Sequence, residues 1–343
     1  MDRILIIKPS AIGDIVHSLP ILPLLRRKWP QAQITWMVGP ACVDLVRRHP
    51  LIDQIMVFRR TPLPKDRPAQ ATNGNGDHSP AWWSRDLRRR RFDMVIDLQG
   101  LLRSAYFTWR TGAPLRVGPA DAREFAWLLY NRRVHSGLRD QHAVERNLTI
   151  AEAIGLGRGP VEFPFAVDDA DRAFIADLIP PGIRYAALIP GTNWATKRWP
   201  SEHFAELVEP LRRRFGLKSV LCGGPQDAAL ASQIPVDRNL VGQTSLRQTV
   251  ALLERADLVV ANDSGPMHIA AALGRPLVCL YGPTDPHLTG PWNREDAVLR
   301  LDIPCSPCFS RKCSHQSCLR WITAEPVLRL AELQLRRLEG GRR

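Results

Sequence analysis

Apolar positions in this chain come in short unbroken runs separated by longer amphipathic stretches. The runs fall at Arg3 to Lys8, Gln33 to Val38, Gln54 to Phe58 and Phe92 to Leu98, and again at Arg184 to Ile189, Lys218 to Cys222, Leu258 to Ala261 and Leu277 to Tyr281. A continuous apolar run of this length is the mark of a strand buried on both faces of a parallel sheet. The intervening stretches carry helical periodicity. One helix starts at about Ile15, and Pro20 and Pro23 require it to kink or split in two. Further helices are predicted over Pro40 to Arg48, Trp82 to Arg91, Leu101 to Arg110, His142 to Leu156, Ser201 to Arg214 and Ser245 to Arg255, with Pro200 fitting a first helical turn. Thr61 to Pro80 breaks the pattern with Pro, Asn, Gly and Asp and reads as a flexible loop, and Ala122 to Arg133 reads as a polar and aromatic segment.

Strand followed by helix, repeated, predicts an α/β chain with doubly wound parallel sheets. The pattern restarts after Gly155 to Asp168, which contains Gly157-Arg158-Gly159-Pro160 and reads as a linker. The expected organisation is a domain over 1–160, a second over 161–321, and a last helix within 322–343 that returns to the first domain.

Ligands of such sheets bind at the carboxyl ends of strands. In the second half those ends are Pro190 to Lys197, Gly223 to Gln226, Asp263 to His268 and Gly282 to Asp285. The stretch Leu258 to Gly274 stands out: a strand, the turn Asp263-Ser264-Gly265, then a helix with Ser264 as its predicted N-cap. A helix N-terminus there offers free N–H groups and a positive dipole end to a phosphate, with His268 on the same first turn. Lys197 is placed to add positive charge, or is an ordinary surface lysine. In the first half, Asp14 follows the first strand, near a helix N-terminus that favours an ionised carboxylate. Such a group serves as a general base, or only stabilises its own helix.

Composition sharpens this picture. The chain has 343 residues, with 47 Lys+Arg against 34 Asp+Glu, a formal charge of +13. That excess suits an anionic partner: nucleic acid, an acidic membrane surface or a phosphorylated substrate. No apolar run is long enough to cross a membrane, and the first apolar stretch is too short for a signal peptide. The expectation is a cytoplasmic chain with reduced cysteines. Gly-x-Gly-x-x-Gly and Gly-x-x-x-x-Gly-Lys-Ser/Thr are both absent, which counts against a dinucleotide oxidoreductase and a P-loop NTPase. Cys305-x2-Cys308-x4-Cys313-x4-Cys318 has metal-like spacing, although it departs from the paired pattern of zinc ribbons. These four are either structural zinc ligands or reduced loop thiols.

Several segments together resemble glycosyltransferase family 9, the heptosyltransferases of the lipopolysaccharide inner core. They are Lys8 to Pro20 (KPSAIGDIVHSLP), Asp97 to Ala105, Ala122-Arg123-Glu124, Tyr130-Asn131-Arg132, Gln141 to Arg146, Lys197-Arg198-Trp199-Pro200, Asn262 to His268 and Tyr281 to Pro286. The resemblance runs from the first strand to about residue 293. It implies a GT-B fold, two Rossmann-like domains with a cleft between them. It also implies inverting transfer of heptose from ADP-heptose to a lipid-anchored sugar, with Asp14 as general base. Thr192, Asn193, Lys197, Gln226, Asp263, Ser264, Gly265 and His268 then bind the donor: Lys197, Thr192 and the Ser264 and Gly265 amides at the diphosphate, Asp263 at the heptose. Gln226 stands where some relatives carry a Glu facing the nucleoside. Ser10, Gly13, Arg60, Arg103 and Arg123 fall to the acceptor. The first-half segments are most similar to members that add the first heptose to Kdo-lipid A. The Cys305 to Cys318 region is more like members that add the next heptose, acting on heptosyl-Kdo2-lipid A. No Asp-x-Asp stands at the donor loop, so no catalytic metal or other cofactor is expected. Arg88 to Arg91, Arg132-Arg133 and part of the Thr61 to Pro80 loop are expected to hold the enzyme peripherally on the anionic cytoplasmic face of the inner membrane. A nucleic-acid partner is not expected.

Overall fold

The computed structural model describes residues 1–58 and 80–340. The chain forms two compact units, Met1–Ala166 and Val167–Arg343.

In the first unit the order is β1 (Arg3–Ile7), α1 (Ile12–Val16), α2 (Ile21–Lys28), β2 (Gln33–Val38), β3 (Gln54–Val57), α3 (Pro80–Arg89), β4 (Met94–Asp97), α4 (Leu102–Arg110), β5 (Leu115–Pro119), β6 (Arg132–Val134) and α5 (Ala143–Ala153). Among the described residues its sheet has six strands in the order β3-β2-β1-β4-β5-β6, with every pairing parallel. The central strands β1 and β4 are almost wholly buried, as their unbroken apolar runs require. Leu5, Ile7, Met37, Val95 and Phe107 share one core cluster with Leu87 of α3. The split demanded by Pro20 and Pro23 is real, because α1 ends at Val16 and α2 starts at Ile21. The expected helix over Pro40 to Arg48 is instead a 3-10 turn over Pro40–Leu45.

The second unit runs α6 (Asp169–Leu178), β7 (Tyr185–Ile189), α7 (Ser201–Phe215), β8 (Lys218–Leu221), α8 (Ala228–Ala231), β9 (Arg238–Asn239), α9 (Leu246–Arg255), β10 (Leu258–Asn262), α10 (Gly265–Ala272), β11 (Leu277–Tyr281), α11 (Pro286–Thr289), β12 (Val298–Arg300), α12 (Ser317–Arg320) and α13 (Ala324–Gly340). Its described sheet is again six-stranded and parallel, β12-β11-β10-β7-β8-β9. Both units are thus doubly wound α/β sheets of the kind the run pattern predicts. The last helix buries Val327, Leu328 and Ala331 in the second unit's own core, with Leu207, Leu211 and Leu280.

Candidate active site

The first unit holds a pocket of about 230 Å³ at the carboxyl ends of β1 and β4. Asp14 lines it, and so do Lys8, Gln99, Arg123, Arg146 and Asn147. Asp14 lies in the first turn of α1, which starts earlier than expected, at Ile12. Its Oδ2 accepts the Ala11 N–H at 3.0 Å, so the carboxylate does close its own helix turn while facing the pocket. Both sequence-based roles of Asp14 are therefore compatible.

The cations around Asp14 come from three elements. Lys8, at the end of β1, is buried, and its Nζ donates to the Leu98 carbonyl at 2.8 Å. Burial lowers its pKa, the Asp14 carboxylate opposes that, and Arg146 adds to the lowering. Burial also lowers Arg146 on α5, again opposed by Asp14. Arg123 comes from the turn after β5. A wall with one carboxylate and three cations suits an acidic ligand that also presents a group to be deprotonated.

The loop behind this wall is fixed by a buried carboxyl. Asp97 Oδ1 accepts the Gln99 and Gly100 N–H groups at 2.9 and 3.1 Å, and the Tyr130 hydroxyl donates to Oδ2 at 2.7 Å. Burial raises the Asp97 pKa despite these donors. Tyr130 reaches Asp97 across β5 at Gly118, where a Cβ would lie 2.4 Å from its ring. Asp97 thereby sets the 98–101 turn that carries the Lys8 acceptor and part of the pocket wall.

Of the expected acceptor residues, Arg123 lines the pocket. Ser10 and Gly13 sit on the turn that carries Asp14 but do not form its wall, and Arg103 is exposed on α4. Arg60, like residues 61–79, lies outside the described residues. Lys8 and Arg146 stand inside the segments that resemble the family, and the sequence marks neither as a site residue. Their only sequence signal is a basic residue at a strand end and another in a helix that begins with His142.

The second unit gathers its chemistry around Asp263, just past β10. Lys197 Nζ and Thr284 Oγ1 both donate to Asp263 Oδ2 at 2.6 Å. His268 Nε2 lies 4.0 Å from the other oxygen, and Thr192 Oγ1 donates to the Asp263 carbonyl at 2.9 Å. Asp263 and His268 are buried. Lys197 also lies 4.5 Å from the centre of the Trp194 ring, which Arg311 approaches at the same distance. The loop that delivers Lys197 is tied down by Asn262. Its Oδ1 accepts the Trp199 N–H at 3.0 Å and its Nδ2 donates to the Pro190 carbonyl at 2.8 Å.

Ser264 occupies the N-cap of α10 but makes no capping bond. Its Oγ is buried and has no hydrogen-bond partner. The expected cap is thus positional only, and the hydroxyl stays available at the helix N-terminus together with the Gly265 amide. A buried hydroxyl without a partner is costly unless a ligand satisfies it. The sequence marks the turn Gly282 to Asp285 as a strand end but not Thr284 within it. Asn193 and Gln226 are exposed on neighbouring strand ends, and Gln226 Nε2 donates to Asp227 Oδ2 at 3.3 Å. Asp227 is buried, and burial raises its pKa. It packs against Gly191, where a Cβ would fall 2.3 Å from the Asp227 carboxyl, so only glycine lets these two strand ends close together.

Cys305 and Cys308 are exposed, Cys313 is half-buried and Cys318 is buried, all as free thiols. Among the described residues no three His, Cys, Asp or Glu side chains are arranged to hold a metal ion.

Two doubly wound sheets, one with an unpartnered hydroxyl at a helix N-terminus and the other with a pocket that sets a carboxylate among cations, are parts suited to a group-transfer enzyme. The chain belongs to glycosyltransferase family 9 (heptosyltransferase), whose model matches residues 82–319, and it is a glycosyltransferase. It is 31% identical to lipopolysaccharide heptosyltransferase 1 of Pseudomonas aeruginosa, over 92% of this chain and 88% of that protein. It is also 31% identical to lipopolysaccharide heptosyltransferase 2 of Escherichia coli K12, over 87% and 88%. Among solved structures, the E. coli ADP-heptose heptosyltransferase II superposes with a TM-score of 0.78 at 27% identity, covering 99% of this chain and 100% of that one. E. coli heptosyltransferase WaaC with ADP superposes with a TM-score of 0.73 at 27% identity, covering 97% and 99%. The two sheets therefore have the GT-B organisation of these heptosyltransferases.

Proposed function

We propose that this chain transfers heptose from ADP-heptose to Kdo-lipid A in lipopolysaccharide core assembly, with inversion and with Asp14 as the general base. The observation that carries the acceptor reading is the pocket in which Asp14 shares a wall with Lys8, Arg123 and Arg146. Kdo is an acidic sugar: its carboxylate suits the cations and its hydroxyl suits the base. Asp14 takes the proton of that hydroxyl, the oxygen bonds to the anomeric carbon, and the bond from that carbon to the diphosphate breaks. ADP leaves with the electron pair.

The second unit supplies the leaving-group side. Lys197 places positive charge there, and Ser264 Oγ and the amides at the start of α10 are donors aimed at developing phosphate charge. Asp263, held by Lys197 and Thr284, is the acceptor for heptose hydroxyls. With lysine and a helix N-terminus supplying the charge, the reaction needs no metal ion. Excess EDTA is expected to leave the initial rate unchanged, and a loss restored by a divalent cation would reverse this part of the reading.

A second acceptor, heptosyl-Kdo2-lipid A, is favoured by the similarity to E. coli heptosyltransferase 2. Mass spectrometry after incubation with ADP-heptose and each acceptor separates the two. A one-heptose gain on Kdo-lipid A alone supports the first reading, and a gain only on the heptosylated acceptor moves the assignment to the second. The pocket makes a narrower prediction. Arg146→Met is expected to raise the acceptor KM by about 10- to 100-fold, the loss of a charge-assisted contact, with ADP-heptose affinity unchanged. Equal effects on both substrates would remove Arg146 from the acceptor site.

A further inference from the structure

The first unit exposes an apolar surface that the proposed transfer chemistry does not use. On α4 the buried positions are Ser104, Ala105, Phe107 and Thr108, and the outward face carries Leu102, Tyr106 and Trp109. These recur at helical spacing, so they form one stripe. The turn Ala126–Leu129 packs on α4 through Ala105, Ala126 and Tyr130. It adds Phe125, 71% exposed, and Leu128, 56% exposed. Five of the ten exposed large apolar side chains among the described residues thus lie on this one helix and the turn beside it. Isolated exposed apolar residues need no explanation, but a contiguous group of this size marks an interaction surface.

The surroundings say what it meets. Between residues 101 and 134 the chain has six arginines and two carboxylates. Arg110 lies 5.5 Å from the Trp109 ring centre and Arg133 lies 5.0 Å from that of Trp127. Arg103 is exposed on the same helix, and Arg132 and Arg133 are exposed on β6. Of the two acids, Glu124 is turned back, its Oε2 accepting the Leu102 N–H at 3.0 Å, and Asp121 is engaged by Ser136 and Leu138. Tryptophan, tyrosine and phenylalanine ringed by arginines is the composition that settles at a bilayer interface, rings among the upper acyl chains and guanidinium groups at the headgroups. The position matters as well. Leu101 and Arg123 line the Asp14 pocket, and the patch begins one residue beyond the first and two beyond the second.

We propose that the outward face of α4 and the 125–128 turn form the surface by which this chain rests on an anionic lipid bilayer, beside the mouth of the Asp14 pocket. A lipid-anchored acceptor is then reached without leaving the membrane. This last step rests on the acceptor reading above, but the docking surface itself does not. It shares Arg132 and Arg133 with the membrane-facing arginines expected from the sequence. To their attraction it adds Leu102, Tyr106, Trp109, Phe125 and Leu128, exposed side chains that insert.

The test uses the full chain and flotation with vesicles of phosphatidylglycerol and phosphatidylethanolamine, against phosphatidylcholine alone. No donor or acceptor is present. The wild type is expected to float with the anionic vesicles, less so at high salt. The variant W109Q/F125S/L128Q is expected to lose about tenfold or more of that binding, with the melting temperature and transfer to a deacylated, water-soluble acceptor retained. Single variants F125S and L128Q, at the two most exposed positions, serve if the triple variant does not fold; each is expected to weaken flotation. Unchanged flotation of the variants, or no flotation of the wild type, overturns the proposal. So does a concentration-dependent dimer of the wild type that the variants abolish without any vesicle binding, which would assign the face to a second copy of the chain. Flotation lost in the variants while neither acceptor gains heptose would uphold the surface and overturn the acceptor reading.

Discussion

Asp14→Asn is expected to abolish most turnover while leaving the donor bound. General-base catalysis contributes about 10²- to 10⁴-fold, and a fall in kcat of that size is the expected result. The substitution is mild in structure. An asparagine oxygen can still accept the Ala11 N–H that Asp14 now accepts at 3.0 Å, so the first turn of α1 keeps its closure. It is not mild in charge. Lys8 and Arg146, whose pKa values burial already lowers, lose the carboxylate that opposes that lowering. The residues proposed to bind the donor, Lys197, Thr192, Asp263 and Ser264, all belong to the other unit, so ADP-heptose affinity by calorimetry should change little. An unchanged kcat would return Asp14 to the role of a helix-turn carboxylate. A large loss of donor affinity would show that Asp14 acts through the donor and not through the acceptor hydroxyl. Asp14→Glu is a useful companion, since it restores the charge but displaces it by a methylene. Full activity in that variant would argue for charge alone, and low activity for a positioned base.

Much of the frame is legible in the residues because buried parallel strands carry their signal locally. Gln33 to Val38 and Leu277 to Tyr281 need no neighbours to be recognised, and their observed limits coincide with the apolar runs. The helix expected over Ser245 to Arg255 is also found, with the Ser245 hydroxyl accepting the Gln248 N–H as its N-cap. Edge strands are another matter. β6 is Arg132-Arg133-Val134 and β9 is Arg238-Asn239, polar stretches that become strands only because β5 and β8 offer partners. The site divides in the same way. Asp14, Lys197 and Asp263 stand in turns at strand ends and carry their chemistry in their type and place. Lys8 looks like the last residue of a strand and Arg146 like one position on a helix. Only packing turns both toward Asp14. The Ser264 hydroxyl shows the converse: the cap position is correct, but the capping bond is absent and the buried hydroxyl is left without a partner. The core that the last helix joins, with Leu207, Leu211 and Leu280, is not legible in its own residues. An amphipathic stripe states that a helix must bury one face, and says nothing about which surface it finds.

Lys197→Met carries the second large effect, and its value lies in separating catalysis from structure. The ammonium is bonded to Asp263 at 2.6 Å, and the two side chains are only 16% and 7% exposed. Breaking such a pair by removing one partner costs about 3–5 kcal/mol when the other is left buried and charged. Thr284 still donates to Asp263 and His268 remains 4.0 Å away, so the lower end of that range is the expected loss of stability. If Lys197 also stabilises the departing diphosphate, kcat should fall by about 10²- to 10³-fold, the usual loss for one preorganised donor at developing charge. A single variant confounds the two effects. The double variant Lys197→Met/Asp263→Asn resolves them, since it removes the uncompensated carboxylate together with its cation. Its melting temperature should return most of the way to that of the wild type, because a neutral amide can keep the Thr284 bond. Its kcat should not recover, because no positive charge has been restored near the phosphates. Recovery of both would make Lys197 a structural counter-ion to Asp263 and leave the leaving group to the α10 N-terminus alone. An unchanged melting temperature in the single variant, with kcat lost in both, would mean that Asp263 is held chiefly by Thr284 and that the ion pair contributes little to the fold. Lys197→Arg adds the remaining distinction. It keeps the charge but not the compact ammonium that fits between Trp194 and Asp263, so partial activity with a raised donor KM is the outcome expected of a phosphate-binding cation.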